Sequence, residues 1–267
     1  MRFHLIFKIF FLLIVINGCT SNTNYNEEDI NIDSDNYNDS LIVEKNLNSP
    51  SDSLYSFIAL GDSYTIGEGV TEDERWPNQF VDVAHDYGVD FDKPDIIAET
   101  GWKTYDLLNA INQKNITKKY DYISLLIGVN NQFNSRPLNE FEEDLNRLMY
   151  EMKKIKKNGG SIIIISIPDW GYTPFGESSD MNDISKQINL FNNSLRKFAS
   201  TNDLKYVDVT EISRRGINEP DLITNDNLHP SGSMYLEWAK KIYMASRASY
   251  HPLAQGTLDN LFSETMK

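Results

Sequence analysis

From residue 54 onwards, short apolar segments alternate with longer segments whose apolar residues recur at helical spacing. The apolar segments have the length and composition of buried β-strands. We predict strands at residues 55–60, 95–99, 122–127, 161–167 and 205–209. Strands that alternate with helices form βαβ units, which build a parallel sheet with helices on both faces. The alternation therefore predicts one α/β domain around a five-stranded parallel sheet.

The segments between the predicted strands favour amphipathic helices. Apolar spacings of three and four predict helices at 76–87, 104–113, 138–155, 184–198 and 230–248. Gly159 and Gly160 are expected to end the third helix, because glycine is favoured just beyond a helix C-terminus. Pro230 is expected at the first position of the last helix, where proline is favoured.

The first 18 residues have the pattern of a signal peptide. A basic start precedes the apolar run 9–16, which is too short to span a membrane. Gly18 directly before Cys19 resembles a bacterial lipoprotein signal, which implies lipidation at Cys19. We therefore expect a chain anchored to a bacterial membrane outside the cytoplasm, in the periplasm or on the cell surface. Ordinary secretion and an uncleaved anchor are the alternatives.

Residues 19–53 are rich in Asn, Asp and Ser, and 20–53 contain eight acidic residues and one lysine. This composition predicts a disordered acidic tether, followed by a folded domain at 54–267 with a short C-terminal tail. The formal net charge of −14 argues against a nucleic-acid partner, because such partners require basic patches. The single cysteine excludes an internal disulfide.

A serine follows the first predicted strand directly. The apolar run ends in Gly61-Asp62-Ser63, which places Ser63 at the carboxyl end of the strand. Ligands bind at this end of the strands in open parallel sheets. Two roles are open for Ser63: it is a nucleophile, or it caps the next helix, which is the more common role of serine after a strand.

A serine nucleophile needs a base that a third group orients, and three histidines follow residue 54. His85 lies in an exposed-looking helix, and His251 lies in the tail with no acidic residue nearby in sequence. His229 follows Asp226 by three residues, so the carboxylate can accept a hydrogen bond from Nδ1–H and leave Nε2 to take the serine proton. The alternative is that Asp226 or Asn227 caps the last helix.

Ester cleavage also needs hydrogen-bond donors for the developing oxyanion. Gly101 follows the second strand and can offer a backbone N–H, and Asn130 follows the third strand and can offer a side-chain amide. The alternative for both residues is an ordinary turn.

The order Ser, Gly, Asn and Asp-x-x-His, each after a different strand, resembles the SGNH/GDSL hydrolase superfamily, here in a bacterial lipoprotein form. The four blocks stand as Gly61-Asp62-Ser63-Tyr64, Gly101, Gly128-Val129-Asn130-Asn131 and Asp226-Asn227-Leu228-His229. The resemblance covers residues 57–239. Two positions depart from it: Tyr64 stands where the family name has Leu, and Asn131 stands where the family commonly has Asp.

The resemblance implies a flavodoxin-like three-layer α/β/α sandwich and a serine esterase without metal or cofactor. Ser63 is then the nucleophile, His229 the general base and acid, and Asp226 the residue that orients it. The Ser63 and Gly101 backbone N–H groups and the Asn130 side chain then form the oxyanion hole. We expect a monomer that hydrolyses short acyl or acetyl esters of small molecules, glycans or lipids. The competing interpretation is a non-catalytic binding lipoprotein with the same fold.

Aromatic residues in the loops at this edge are candidates for substrate binding. Trp76 follows the nucleophile turn, and Trp170 and Tyr172 follow the fourth strand, near Phe175. We predict that Trp76, Trp170 and Tyr172 line an acyl slot or stack on sugar rings. The alternative is ordinary packing of the loops on the core. A nucleotide-binding role is disfavoured, because no glycine-rich phosphate loop follows the first strand.

Overall fold

The computed structural model describes residues 54–247, which form a parallel sheet covered by helices. The strands are β1 Phe57–Gly61, β2 Asp95–Ala98, β3 Tyr120–Leu126, β4 Lys156–Ile165 and β5 Lys205–Val207. Every pair is parallel, and the spatial order is β2-β1-β3-β4-β5. This is the flavodoxin-like order, so the predicted five-stranded parallel sheet is confirmed.

Eight α-helices and three short 3₁₀ helices connect or flank these strands within residues 54–247. The α-helices are α1 Ser63–Ile66, α2 Trp76–Asp86, α3 Thr104–Lys114, α4 Val129–Phe133, α5 Leu138–Ile155, α6 Met181–Thr201, α7 Thr210–Ser213 and α8 Gly232–Arg247. The 3₁₀ helices are Trp170–Tyr172, Pro174–Ser178 and Pro220–Leu222. Helix α2 packs on α8, whereas α5 packs on both α3 and α6. The sheet is the middle of three layers, as the resemblance implied.

The central strands are mostly apolar, as expected for strands covered by helices on both faces of the sheet. All five residues of β1 are buried, and so are six of the seven residues of β3. The ring of Phe57 lies 4.9 Å from that of Phe80, which anchors α2 to β1. This rigid centre fixes the positions of the loops at the carboxyl ends of β1 and β3.

The prediction that Gly159 and Gly160 end a helix is wrong. Helix α5 ends at Ile155, and β4 begins at Lys156 without a separate turn. Lys156 pairs with Tyr120 of β3, and an irregularity in the register between Tyr120 and Tyr122 accommodates the two glycines. The register gives pairs at Lys156 and from Ser161 onwards, and Gly159 between them has a φ of +78°, in the left-handed region that favours glycine. The glycines thus keep a turn-like conformation within β4 and do not cap α5.

The predicted position of Pro230 is also wrong. Helix α8 begins at Gly232, and Pro230 instead forms an isolated antiparallel bridge with Ile223. Two backbone hydrogen bonds form this bridge: Thr224 N–H donates to the His229 carbonyl at 2.8 Å, and Ser231 N–H donates to the Leu222 carbonyl at 2.8 Å. The loop 223–230, which we call the histidine loop, is thus closed at its base by two backbone hydrogen bonds.

Several sequence predictions fall outside the described residues. These are the signal peptide at 1–18, the lipidation site Cys19, the tether at 19–53 and the tail that contains His251. Among residues 54–247, no helix has the length and apolar character needed to cross a membrane.

Candidate active site

Ser63 is the first residue of α1 and follows β1 after a single residue. Asp62 caps this helix, because its side chain accepts a hydrogen bond from Tyr64 N–H at 3.1 Å. Gly61 permits the sharp turn: a Cβ at this position would lie 2.1 Å from Thr65 Oγ1 and 2.5 Å from the Leu126 carbonyl oxygen. The helix cap is therefore Asp62, which leaves the hydroxyl of Ser63 free for another role.

Asp62 carries little charge at neutral pH. Burial raises the pKa of its carboxyl to about 8, and hydrogen bonds from the Tyr64 and Asp62 backbone N–H groups oppose this rise only in part. The carboxyl next to Ser63 is therefore mostly protonated near pH 7.

Asp226 contacts the imidazole of His229 as the spacing predicted. The Asp226 Oδ2 atom lies 2.6 Å from His229 Nδ1. Its Oδ1 atom accepts hydrogen bonds from His229 N–H at 2.9 Å, Leu228 N–H at 2.8 Å and the Thr224 hydroxyl at 2.7 Å. All of these bonds lie within the histidine loop, and α8 begins only at Gly232, so the capping alternative for Asp226 is not supported.

The Asp226 carboxylate is ionised at neutral pH. Burial acts to raise its pKa, but hydrogen bonds from the His229 backbone, the Thr224 hydroxyl, the His229 ring and the Leu228 backbone outweigh burial and lower the pKa from 3.8 to about 2. The charged Asp226 carboxylate therefore contacts Nδ1 of His229, and Nε2 lies at the other edge of the ring.

Ser63 and His229 line one pocket of about 180 Å³ at the carboxyl edge of the sheet. The pocket is lined by Ser63, Tyr64, Val129, Asn130, Phe133, Trp170, Phe175, Leu228 and His229. Ser63 and His229 are only 4% and 6% exposed. Within residues 54–247 no hydrogen bond joins the Ser63 hydroxyl to the His229 ring; such catalytic bonds are often formed only with substrate present.

Asn130 lies in the same pocket, beside the turn that contains Gly101. One N–H of its amide donates to the Trp102 carbonyl at 3.1 Å, which leaves the second N–H as a donor for a ligand. Gly101 has a φ of +85°, in the left-handed region that favours glycine, and an added Cβ would meet no atom within 4 Å. Gly101 does not itself line the pocket, but it directly precedes the carbonyl that Asn130 binds.

Asn131 is buried and connects α4 with the start of α3. Its Oδ1 accepts from Thr104 N–H at 3.0 Å, and its Nδ2 donates to Thr104 Oγ1 at 2.9 Å. The Thr104 hydroxyl in turn donates to Asp144 Oδ2 at 2.8 Å. The Thr104 hydroxyl has one proton, which it donates to Asp144, so its oxygen can accept a hydrogen bond from the amide of Asn131. A carboxylate at position 131 would compete with Asp144 for that single proton.

We expect Asn131→Asp to destabilise the fold by about 1–3 kcal/mol, because it removes one buried hydrogen bond and places two carboxylates around one hydroxyl. Asn131→Asp combined with Asp144→Asn should recover most of this loss, since the amide and the carboxylate exchange places. Urea unfolding of the wild type, both single variants and the double variant measures the coupling. Additive losses in the double variant would contradict this interpretation.

The structure places Trp170 in the pocket, as predicted. Its Nε1–H donates to Gln132 Oε1 at 2.8 Å, and its ring lies 5.2 Å from Phe133 and 6.0 Å from Phe175. Phe133 and Phe175 are 50% and 45% exposed, so the three rings form an aromatic wall that is partly open to solvent. The sequence analysis missed Phe133. Its position one helical turn after Asn130 is the signal that links it to the site.

The predictions that Trp76 and Tyr172 bind substrate are wrong. Trp76 is fully buried at the start of α2, where its ring lies 6.1 Å from Phe57 in the core. Tyr172 lies outside the pocket lining and faces the guanidinium of Arg214 at 5.8 Å. Arg214 also forms an ion pair with the buried Asp169 at 3.0 Å, which holds the guanidinium in this position.

The other candidate groups lie away from the pocket. His85 is exposed on α2 and lies 2.6 Å from Asp90. No group of three or more His, Cys, Asp or Glu side chains in residues 54–247 is arranged to hold a metal ion.

The fold and the pocket define the chain as an α/β/α protein with a ligand site at the carboxyl edge of its sheet. Residues 59–236 match the model of the GDSL-like lipase/acylhydrolase family, and the chain belongs to this family. It is accordingly an ester-hydrolysing enzyme. No curated protein sequence matches the chain significantly.

Solved structures support the fold. The lipase Lip_vut3 from a goat rumen metagenome is 20% identical, with a TM-score of 0.60 over 72% of this chain and 97% of its own. A variant of Axe2, an acetyl xylan esterase from Geobacillus stearothermophilus, is 18% identical, with a TM-score of 0.56 over 72% and 94%. A lipolytic protein of the G-D-S-L family from Veillonella parvula is 16% identical, with a TM-score of 0.54 over 74% and 99%.

Proposed function

We propose that Ser63, His229 and Asp226 act as a catalytic triad that hydrolyses carboxylic esters through an acyl-enzyme. The observation that carries this proposal is the 2.6 Å contact between Asp226 and His229 Nδ1, in a pocket that Ser63 also lines. With Nδ1–H held by an ionised carboxylate, Nε2 is the basic nitrogen that faces away from Asp226.

In the first half of the reaction, Ser63 Oγ attacks the ester carbonyl carbon while His229 Nε2 takes the hydroxyl proton. The tetrahedral intermediate collapses, His229 returns the proton to the leaving alcohol, and the acyl group stays on Ser63. In the second half, His229 deprotonates a water molecule that attacks the acyl carbonyl, and the acid is released with Ser63 restored. The free N–H of Asn130 and the backbone N–H of Ser63 are the oxyanion donors on residues that line the pocket, and the backbone N–H of Gly101, which lies outside this lining, is the third donor that the resemblance implies.

The pocket favours a short, uncharged acyl group. Its walls are aliphatic or aromatic beyond the polar groups of Ser63, Asn130 and His229, and no Asp, Glu, Lys or Arg lines it. A cavity volume of about 180 Å³ suits a small acyl group. The partly open aromatic wall then contacts the remaining apolar or sugar part of the ester.

A series of p-nitrophenyl esters with acyl chains of two, four, eight and sixteen carbons tests this function. We expect the highest kcat/KM for the two shortest chains, and a loss of at least about tenfold for the longest chain because it exceeds the pocket. A p-nitrophenyl ester with a terminal carboxylate is the matched control, and we expect slow hydrolysis because the pocket offers no cation. Preference for the sixteen-carbon chain, or hydrolysis of none, would contradict the proposal.

A further inference from the structure

Tyr64 links the candidate nucleophile to the candidate base. It follows Ser63 in α1, and its backbone N–H is fixed by the Asp62 side chain at 3.1 Å. Its ring centre lies 4.9 Å from that of His229, with 55° between the ring planes. The same ring stacks against Trp238 of α8 at 6.4 Å and 26°. The residue that departs from the family name thus contacts both the core and the imidazole.

His229 contacts one carboxylate and one aromatic ring. Asp226 binds its Nδ1 edge, and Tyr64 packs against its ring. Tyr64 is only 3% exposed, so its ring has little freedom to move away. Leucine, the residue in the family name, would contact the imidazole only through methyl groups, whereas tyrosine places an aromatic π-system with its centre 4.9 Å from that of the imidazole.

We propose that Tyr64 is a positioning residue that holds the His229 ring and stabilises its positive charge during the reaction. This inference rests on the proposed triad, in which His229 becomes an imidazolium as it takes the Ser63 proton. A cation within about 6 Å of an aromatic centre is stabilised by the ring, and the effect is larger in a desolvated site. In the proposed mechanism this charge develops as His229 takes the proton of Ser63, so the contact favours kcat over substrate binding.

The test compares Tyr64→Leu with Tyr64→Phe by steady-state hydrolysis of p-nitrophenyl butyrate and by the rate of labelling with a fluorophosphonate probe. We expect Tyr64→Leu to lower kcat and the labelling rate by about tenfold, with less than about a threefold change in KM. Tyr64→Phe keeps the ring and should recover most of kcat. Phe80→Leu is the matched control, since it replaces a fully buried core ring outside the site and should lower stability without changing kcat.

The outcomes separate this inference from the proposed function. If the wild type is labelled at Ser63 and Tyr64→Leu retains the full kcat, the positioning role is wrong and the triad stands. If Tyr64→Phe loses as much as Tyr64→Leu, the hydroxyl and not the ring matters, which also overturns the proposal. Absence of hydrolysis and of labelling at Ser63 in the wild type would overturn the triad itself.

Discussion

Replacing Ser63 by alanine is expected to lower the hydrolysis of p-nitrophenyl butyrate by about 10⁴-fold or more and to abolish fluorophosphonate labelling. Without Oγ no acyl-enzyme forms, and the remaining donors only stabilise attack by water. The fold should be retained, because Asp62 and not Ser63 caps α1. Initial rates, gel fluorescence of the labelled protein and circular dichroism measure the three expectations.

Ser124→Ala provides a matched control for this experiment. Ser124 is fully buried in β3, and its hydroxyl has no hydrogen-bond partner within residues 54–247. Its removal should leave both hydrolysis and labelling unchanged. A folded Ser63→Ala protein that is still labelled, or that retains wild-type turnover, would show that another group is the nucleophile.

Replacing Asp226 by asparagine should lower kcat by about 10⁴-fold, although it changes the volume of the side chain very little. The amide presents N–H to His229 Nδ1, so that nitrogen becomes an acceptor and the proton moves to Nε2. An imidazole with its proton on Nε2 cannot accept the Ser63 proton. Steady-state kinetics at pH 7–8 measures the loss, and a fall of less than tenfold would contradict the assigned role.

Loss of the Asp226 carboxyl should also change how the stability of the protein depends on pH. The pKa of the wild-type carboxyl is lowered from 3.8 to about 2 in the folded state. Its contribution to stability is therefore fully present above the unfolded pKa and is lost as the pH falls from about 4 to 2. Asp226→Asn cannot titrate, so its thermal midpoint should fall less steeply than that of the wild type over this range.

The features that the sequence predicted correctly depend on patterns along the chain. The five strands follow from apolar runs of the right length, and the sheet order places Ser63, Asn130 and His229 at one edge. The contact between Asp226 and His229 follows from a spacing of three residues in a tight loop. Such relations need no knowledge of how distant elements pack.

The errors concern side-chain direction and long-range pairing. Whether Trp76 faces the core or the pocket depends on the rotation of α2 against β1, which no local pattern specifies. Tyr172 faces Arg214, which is held by an ion pair to Asp169 whose partners are 45 residues apart. Gly159 and Gly160 lie at an irregularity of the register between β4 and β3, four and five residues beyond the end of α5, and do not cap this helix. For the two aromatic residues, tertiary contacts outweighed a local preference.

The closed histidine loop has a mechanical consequence. Asp226 and His229 are joined to each other within a loop whose base is closed by two backbone hydrogen bonds, and Phe175 N–H donates to the Asn227 carbonyl at 2.9 Å. The proposed base and the residue that orients it therefore belong to one closed loop, whereas Ser63 lies on α1 directly after β1. Alignment of the proposed triad then depends on the position of the histidine loop relative to α1.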